Sequence, residues 1–287
     1  MTSRRRPFPE DTPAPSVTGR APARPRKRFG QHFLHDPGIL RRIVEAIAPV
    51  PDDRLVEIGP GEGALTLPLL RAAGRLTAIE LDRDLIGPLG ENARGIGDLN
   101  VISADVLTVD FTALAAGASL RLVGNLPYNI STPILFHCLG HAAVIRDMHF
   151  MLQKEVVERM AAAPGSKTYG RLSVMLQLRS SVEPLLRVPP GAFRPPPKVD
   201  SAVVRLVPLP ASALPHVDAS LLERVVRAAF GQRRKTLANA LSGIAAVADI
   251  DAAGIDPRAR AEQLAPPAYV ALTQRLSGRA PPGLPAG

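Results

Sequence analysis

The sequence predicts an α/β protein with an open, mostly parallel sheet and a smaller all-helical domain near the C-terminus. The first observation is that apolar runs rich in Val, Ile and Leu alternate with amphipathic segments between residues 54 and 153. This alternation is typical of strands buried on both faces and joined by crossover helices. The second is a Pro-rich linker, Pro208–Pro215, after which the pattern is helical.

The individual elements follow the chain in order. Asp36 and Pro37 form a good helix start, an acidic cap followed by Pro at the first helical position, and predict a helix over Ile39–Ala48. Five sheet strands are predicted at Arg54–Ile58, Arg75–Leu81, Leu99–Ala104, Leu120–Gly124 and Met148–Gln153. A late pair of strands, Val182–Val188 and Ser201–Val207, is predicted on either side of the Pro-rich turn Pro189–Pro197.

Composition limits the class of protein. The chain has 287 residues, a formal net charge of +9 and only 4% aromatic residues, so Ala, Val, Leu and Ile must build the core. The single cysteine, Cys138, excludes an internal disulfide framework and a Cys-rich zinc module. The sequence has no apolar run of the ~18 residues that a membrane span needs. The charges near Met1 have no apolar stretch behind them, so we expect no secretory signal there. We therefore expect a cytoplasmic protein.

Much of the excess charge lies at the N-terminus. Residues 1–28 contain eight Arg or Lys, two acidic residues and six Pro, which predicts a disordered basic tail. Such a tail either adds nonspecific attraction to phosphate or is a solvated extension. The predicted organisation is therefore a tail (1–28), a catalytic domain (29–208), a helical domain (209–279) and a disordered C-terminal tail (280–287).

A glycine-rich loop follows the first predicted sheet strand. In Val56–Ala64, Gly59 and Gly61 let the backbone approach a ligand closely, because a Cβ atom would block it. The spacing also fits the permissive dinucleotide fingerprint, so a nicotinamide cofactor stays possible at this point. Glu80 ends the second strand, 21 residues after Gly59, where a carboxylate accepts hydrogen bonds from a ribose diol.

Asp105 partly distinguishes a nicotinamide cofactor from S-adenosylmethionine. It ends the third strand at the same sheet edge, where its carboxylate is placed to accept a hydrogen bond from an adenine amino group. S-adenosylmethionine fits this third contact well, since it carries a sulfonium cation and no pyrophosphate that needs a helix N-terminus. Each carboxylate alone is equally compatible with an ordinary strand-end or capping acid.

The tetrapeptide Asn125-Leu126-Pro127-Tyr128 follows the fourth strand. An exocyclic purine amine is a poor nucleophile because its lone pair is delocalised into the ring. The Asn125 side-chain oxygen and the Leu126 carbonyl are acceptors that hold its N–H bonds, with Pro127 fixing the backbone and Tyr128 stacking on the base. This predicts in-line methyl transfer driven by positioning and electrostatics, with the proton lost after transfer.

These motifs resemble the ribosomal RNA adenine N6,N6-dimethyltransferases, and within them the small-subunit (16S) enzymes. The resemblance runs from Arg26 to Leu276. Beside the glycine loop and Asn125–Tyr128, it rests on the segments Arg28–Leu34, Tyr169–Ser173, Phe193–Ser201 and Phe230–Leu237. It implies the Rossmann-like, class I S-adenosylmethionine-dependent methyltransferase fold with a seven-stranded, mostly parallel sheet.

The resemblance also implies the site and the reaction. The cofactor contacts it implies, together with the glycine loop, are His32, Leu34, Gly59, Gly61, Glu80, Asp105 and Asn125. His32 stands where the family usually has Asn, and its proton could make cofactor binding sensitive to pH. The family transfers two methyl groups to each of two adjacent adenines in the 3′-terminal hairpin loop of small-subunit rRNA. The implied partner is the immature small subunit, which the protein binds as a monomer.

An RNA-binding surface is predicted near the C-terminus. A helix from Asp218 to Phe230, or beyond it, places apolar residues on one face and basic residues on the other. The cluster Arg233, Arg234 and Lys235 is expected to contact RNA phosphate, unless Gly231 interrupts the helix and displaces it. Phe193 is expected either as a second wall opposite Tyr128 or as a loop aromatic that fills the core.

A metal site and three rival functions are the alternatives to this interpretation. His137, Cys138 and His141 have no fourth ligand at a recognisable spacing, so no metal site is expected. The rival functions are a large-subunit rRNA adenine methyltransferase of the antibiotic-resistance type, a mainly non-catalytic ribosome-assembly factor, and an NAD-dependent dehydrogenase. The Pro195–Ser201 and Gln232–Thr236 stretches favour the small-subunit enzyme over the first of these.

Overall fold

A computed structural model describes residues 32–278 of the chain. Both predicted tails, residues 1–28 and 280–287, lie outside this range. The strands are β1 (Phe33–Leu34), β2 (Arg54–Ile58), β3 (Arg75–Glu80), β4 (Asp98–Ser103), β5 (Leu120–Asn125), β6 (Ile145–Gln153), β7 (Ser180–Val188), β8 (Phe193–Arg194) and β9 (Ser201–Pro208). The helices are α1 (Pro37–Ile47), α2 (Thr66–Ala73), α3 (Arg83–Ala93), α4 (Phe111–Ala115), α5 (Ser131–Gly140), α6 (Lys154–Met160), α7 (Arg171–Gln177), α8 (Ala219–Gly231), α9 (Leu237–Ala240), α10 (Val247–Ala252) and α11 (Pro266–Ser277).

Seven strands form the central sheet in the order β4-β3-β2-β5-β6-β9-β7. The first five are parallel, and β9 pairs antiparallel with both β6 and β7. This confirms the predicted α/β fold, including the late strand pair. The chain runs outward from β2 to β4 and then returns to β5, so β2 and β5 flank the point where the strand order reverses. Open α/β sheets bind ligands in the crevice at the carboxyl ends of such strands.

Helix α1 forms as its sequence predicts. The Asp36 carboxylate accepts a hydrogen bond from the Ile39 backbone N–H (2.9 Å), and Pro37 occupies the first helical turn. Ile39, Ile43 and Ile47 recur every four residues and are all buried, so one apolar stripe faces the core. This anchors the N-terminal part of the described chain against the sheet.

A buried ion network closes the amino-terminal edge of the sheet, opposite the ligand crevice. Arg121 in β5 donates to Asp53 (2.6 Å) and to Asp147 in β6 (2.9 Å), and all three side chains are almost completely buried. Another Arg121 nitrogen donates to the Ile47 carbonyl at the end of α1 (2.6 Å). A buried charge is tolerated only with such full pairing, so the network fixes how α1, β5 and β6 meet.

The C-terminal helices enclose an apolar cluster of their own. Tyr169, Val174 and Leu178 come from the segment between β6 and β7, yet they pack against α8, α9, α10 and α11. The Tyr169 hydroxyl donates to the Leu264 carbonyl (2.9 Å) at the far end of that cluster. Helix α7 joins the helical part to the sheet, because its Leu176 belongs to the apolar cluster of the sheet and its Val174 to that of the helices. Within residues 32–278, no helix combines the length and apolar character that crossing a bilayer requires.

Candidate active site

A cavity of about 320 Å³ opens at the carboxyl edge of the sheet, at the reversal point between β2 and β5. It gathers the predicted cofactor and catalytic residues from five separate chain segments. Those that line it are His32, Leu34, Gly59, Gly61, Glu80, Asp105, Asn125, Leu126, Pro127 and Tyr128. They meet there because parallel strands present all their carboxyl ends at one edge.

The loop after β2 has the backbone shape that its glycines predict. Gly59 and Gly61 have φ of 68° and 57°, in the left-handed region that other residues rarely adopt. A Cβ atom on Gly61 would also lie 3.0 Å from the Phe33 ring. The Gly61 N–H donates to Glu80 (3.2 Å), so the loop is fixed to the end of β3.

Two acidic side chains line the cavity beyond that loop. Glu80 is 6% exposed, and its second oxygen accepts from the Asp82 N–H (2.8 Å). Burial raises the pKa of Glu80, although these backbone donors oppose the rise. Asp105 is exposed, and its Oδ1 caps a short turn by accepting from the Leu107 N–H (3.0 Å). Each carboxylate therefore combines a local structural role with a face on the cavity.

Asn125 is oriented by the N-terminal segment. Its Nδ2 donates to the His32 carbonyl oxygen (2.9 Å), which cannot donate in return. This bond fixes the amide plane and leaves Oδ1 as the acceptor. The Leu126 N–H donates to Met151 in β6 (3.1 Å), while no donor in residues 32–278 is bonded to the Leu126 carbonyl oxygen. Two adjacent oxygen acceptors are thus available at the end of β5.

Tyr128 is held on two sides. Its hydroxyl shares a hydrogen bond with the Ser201 hydroxyl (2.6 Å) at the start of β9. The His32 imidazole stacks on the ring, with centroids 5.7 Å apart and planes at 24°. His32 Nδ1 also lies 2.8 Å from the Pro195 carbonyl oxygen, which only accepts, so Nδ1 carries the proton and donates. His32 therefore lines the cavity and also packs against the Tyr128 ring.

Phe193 does not form a second wall of the cavity opposite Tyr128, which was one of the two roles that its sequence position allowed. It is 2% exposed and belongs to the apolar cluster that contains Leu34 and Val188. In β8 it pairs with Leu34 of β1, and this two-stranded ladder turns the ring into the core. The described cavity lining does not include it. The structure corrects the catalytic assignment in favour of the packing alternative.

Two buried titratable residues of the cavity were missed from the sequence. Burial raises the pKa of Glu57 to about 7 and lowers that of His149 to about 4. Glu57 Oε2 and His149 Nδ1 have no hydrogen-bond partner among the described residues. The signal was present, because each is the charged or titratable residue within an otherwise apolar stretch of strand.

His137 and His141 each make a polar contact inside the fold. His137 Nε2 lies 2.9 Å from the Val109 carbonyl oxygen, and His141 Nδ1 lies 3.0 Å from the Thr112 hydroxyl. Cys138, between them, is completely buried. Residues 32–278 contain no group of three or more metal-ligating side chains arranged around a common point.

Comparison with known proteins identifies the family. The family model described as ribosomal RNA adenine dimethylase matches residues 23–277, almost the whole chain. The chain belongs to this family. It is therefore an S-adenosylmethionine-dependent enzyme that dimethylates adenine in ribosomal RNA, and the resemblance seen in the sequence is confirmed. The nicotinamide interpretation of the glycine loop is thereby replaced.

Relatives of this dimethylase are similar over most of their length. Proteins named ribosomal RNA small subunit methyltransferase A from Xanthomonas campestris and Xanthomonas axonopodis are 64% and 65% identical over 244 residues, 85% of this chain and 92% of theirs. A dimethyladenosine transferase from Plasmodium falciparum has a TM-score of 0.71 at 27% identity, over 84% of this chain and 96% of its own. The 23S rRNA methyltransferase ErmE has a TM-score of 0.65 at 29% identity, over 85% and 99%.

The predicted RNA-binding cluster of the dimethylase lies outside a helix. Helix α8 ends at Gly231, so the interruption weighed in the sequence is the observed one and the three basic residues occupy the following turn. Arg233 is half-exposed and is bonded to Glu262 (3.3 Å) and to the Lys167 carbonyl (3.0 Å). Arg234 and Lys235 are exposed and make no such contact within residues 32–278.

Proposed function

We propose that this dimethylase transfers two methyl groups to the N6 amine of each of two adjacent adenines in the 3′-terminal hairpin loop of small-subunit (16S) rRNA. Its partner is the immature small subunit, which the enzyme binds as a monomer in the cytoplasm. The observation that carries the proposal is the pair of oxygen acceptors at the end of β5, Asn125 Oδ1 and the Leu126 carbonyl, beside Tyr128. The 64% identity to proteins named for the small subunit supports that substrate over the large-subunit one.

The residues of the cavity suit S-adenosylmethionine. When bound, it would supply an electrophilic methyl group on a sulfonium, whose sulfur–methyl bond breaks as the N–C bond forms and leaves a neutral thioether. The buried carboxyl groups of Glu57 and Glu80 line the cavity, and the Glu57 Oε2 lacks a partner among the described residues. A positively charged ligand relieves that burial cost, whereas a pyrophosphate would be repelled. We assign the ribose diol to Glu80, the adenine amine to Asp105, and further contacts to Leu34, Gly59 and Gly61.

The chain's contribution to chemistry is the orientation of the target amine. Asn125 Oδ1 and the Leu126 carbonyl accept the two N–H bonds, so the nitrogen becomes pyramidal and its lone pair faces the cavity. Neither oxygen is basic enough to remove a proton at neutral pH, so the proton leaves to water after the N–C bond forms. This is catalysis by positioning and by acceptors placed where charge develops.

A folded RNA must release the base before these groups can reach it. An adenine in a loop is extruded at lower cost than one in a duplex, and Tyr128 then offers a stacking face. After one methyl transfer the amine has a single N–H bond left. One acceptor must then orient it while the other tolerates the first methyl group.

The test is methyl transfer from labelled S-adenosylmethionine to purified ribosomal subunits. We expect label in small-subunit rRNA with wild-type protein and labelling at least about a hundredfold slower with Asn125→Ala. Label in large-subunit RNA alone would favour the ErmE-like alternative and overturn the proposal. If the Asn125→Ala protein fully restored small-subunit assembly in cells that lack the enzyme, the mainly non-catalytic role would be the correct one.

A further inference from the structure

The Pro-rich segment between β8 and β9 borders the mouth of the cavity. We name residues 194–200 the rim loop. At one end, Arg194 pairs with Phe33 of β1, and the Pro195 carbonyl accepts from His32 Nδ1 (2.8 Å). At the other end, Ser201 is bonded to the Tyr128 hydroxyl (2.6 Å). Phe33, His32 and Tyr128 all line the cavity, so the loop is tied to its mouth at both ends.

The rim loop presents two unpaired cations to solvent. Arg194 and Lys198 are exposed, and neither side chain has an ion pair or hydrogen bond within residues 32–278. The loop's one acid, Asp200, is already paired with Arg187 (2.6 Å). The loop therefore carries an uncompensated positive charge beside the cavity.

The rim loop is also preorganised. Three consecutive prolines lie between its two cations, and each fixes the backbone φ. The Asp200 carbonyl further accepts from the Lys154 N–H (2.9 Å), which fastens the end of the loop to α6. A loop that is ordered before binding loses little conformational entropy when a ligand arrives.

We propose that Arg194 and Lys198 bind the RNA backbone phosphates that flank the extruded adenine. This inference rests on the proposed function and adds a contact surface to it. An adenine that stacks on Tyr128 brings its own sugar-phosphate backbone to the cavity mouth, where the rim loop lies. Arginine and lysine are the side chains that meet phosphate there, and such contacts set affinity and register without reading sequence.

This surface differs from the cluster that follows α8. Arg233 of that cluster is engaged by Glu262 and by the Lys167 carbonyl. Arg194 and Lys198 require no internal bond to break before they bind a phosphate. They also act next to the reacting base, so they hold the flipped nucleotide rather than the distant body of the RNA.

The test compares two double variants with wild-type protein on isolated, unmethylated small subunits. Arg194→Gln with Lys198→Gln removes the rim cations. Arg71→Gln with Arg75→Gln is the matched control, because both arginines are exposed, and the last turn of α2 and the first residue of β3, where they lie, are at the amino ends of the strands, away from the cavity. The dissociation constant is measured at a series of salt concentrations, and S-adenosylmethionine binding is measured separately for each protein.

We expect the rim variant to bind subunits roughly tenfold more weakly, and the slope of log affinity against log salt to become shallower by about 0.7–0.9 for each cation removed. Cofactor affinity and the control variant should match wild type. Equal losses in both variants, or an unchanged slope in the rim variant, would overturn the inference. So would an equally large loss of cofactor affinity, since that would mean the loop acts by positioning β1. Wild-type protein that binds subunits but transfers no methyl group would instead refute the proposed function, and the salt comparison would still decide this inference.

Discussion

At the scale of single residues, Asn125 is the group on which transfer depends. Its Nδ2 is committed to the His32 carbonyl, so the substrate meets Oδ1. Asn125→Ala removes that acceptor, and we expect kcat to fall about a hundredfold or more, as when one preorganised hydrogen-bonding group is deleted from an active site. Single-turnover methyl transfer measures this, with small-subunit binding as the control. Unchanged kcat would show that the acceptor lies elsewhere.

Tyr128 separates stacking from hydrogen bonding. Tyr128→Phe loses only the bond to Ser201 and should keep most of the activity. Tyr128→Ala also loses the aromatic face, whose stacking on a base contributes about 1–3 kcal/mol, so the apparent KM for subunits should rise accordingly. Steady-state kinetics with saturating S-adenosylmethionine distinguish the two variants. Equal defects would mean that the hydroxyl, and not the ring, is the important group.

Glu57 should couple cofactor binding to pH. Burial raises its pKa to about 7, so a cationic ligand that favours the ionised form must lower that pKa and release a proton. The affinity for S-adenosylmethionine should therefore increase as pH rises from 6 towards 7 and level off above the pKa of the free protein. Calorimetric titrations in buffers of different ionisation enthalpy would measure the number of protons released on binding. The Glu57→Gln variant should bind S-adenosylmethionine without releasing this proton. An identical pH dependence of affinity in the two proteins would contradict the role of Glu57.

At the scale of elements, the glycine loop depends on backbone shape. Gly61→Ala places a Cβ at positive φ and against the Phe33 ring, so it should cost about 1–3 kcal/mol and weaken cofactor binding. Gly90→Ala in α3 is the matched change, because it meets no atom within 4 Å and adds a better helix former. Urea unfolding should place the two variants on opposite sides of wild type. Two equally stable variants would show that the loop tolerates a side chain.

The elements that the sequence predicted well are those set by local pattern. Arg54–Ile58 has the predicted bounds, and the other sheet strands begin or end within a few residues of them. Glu80, Asp105 and Asn125 were found because a parallel sheet brings its strand ends together, whatever the details of packing.

The elements that the sequence did not predict depend on distant partners. The pairing of β1 with β8 joins two-residue strands, near the contact between His32 and Pro195, 163 positions apart. No local pattern specifies such a ladder. Phe193 was left between two roles for the same reason, since only the ladder determines that its ring enters the core.

At the scale of the whole molecule, the C-terminal helices cover apolar side chains that precede β7. Tyr169, Val174 and Leu178 belong to the segment before β7 but are covered by the helices after residue 218. A chain that ends after Pro208 would expose them, and large exposed apolar patches lead to aggregation. We expect that truncated protein to be insoluble or to bind an apolar dye strongly. A soluble, cooperatively unfolding fragment would show that the predicted boundary at residue 208 separates independent domains.

The modified nucleosides themselves are the most direct test of the proposed function. Mass spectrometry of small-subunit rRNA is carried out before and after incubation with the protein and S-adenosylmethionine. If Asn125 and the Leu126 carbonyl orient an extruded adenine as described, dimethyladenosine appears at two neighbouring positions of the 3′-terminal hairpin loop. A product that stops at one methyl group, or RNA of unchanged mass, would contradict it.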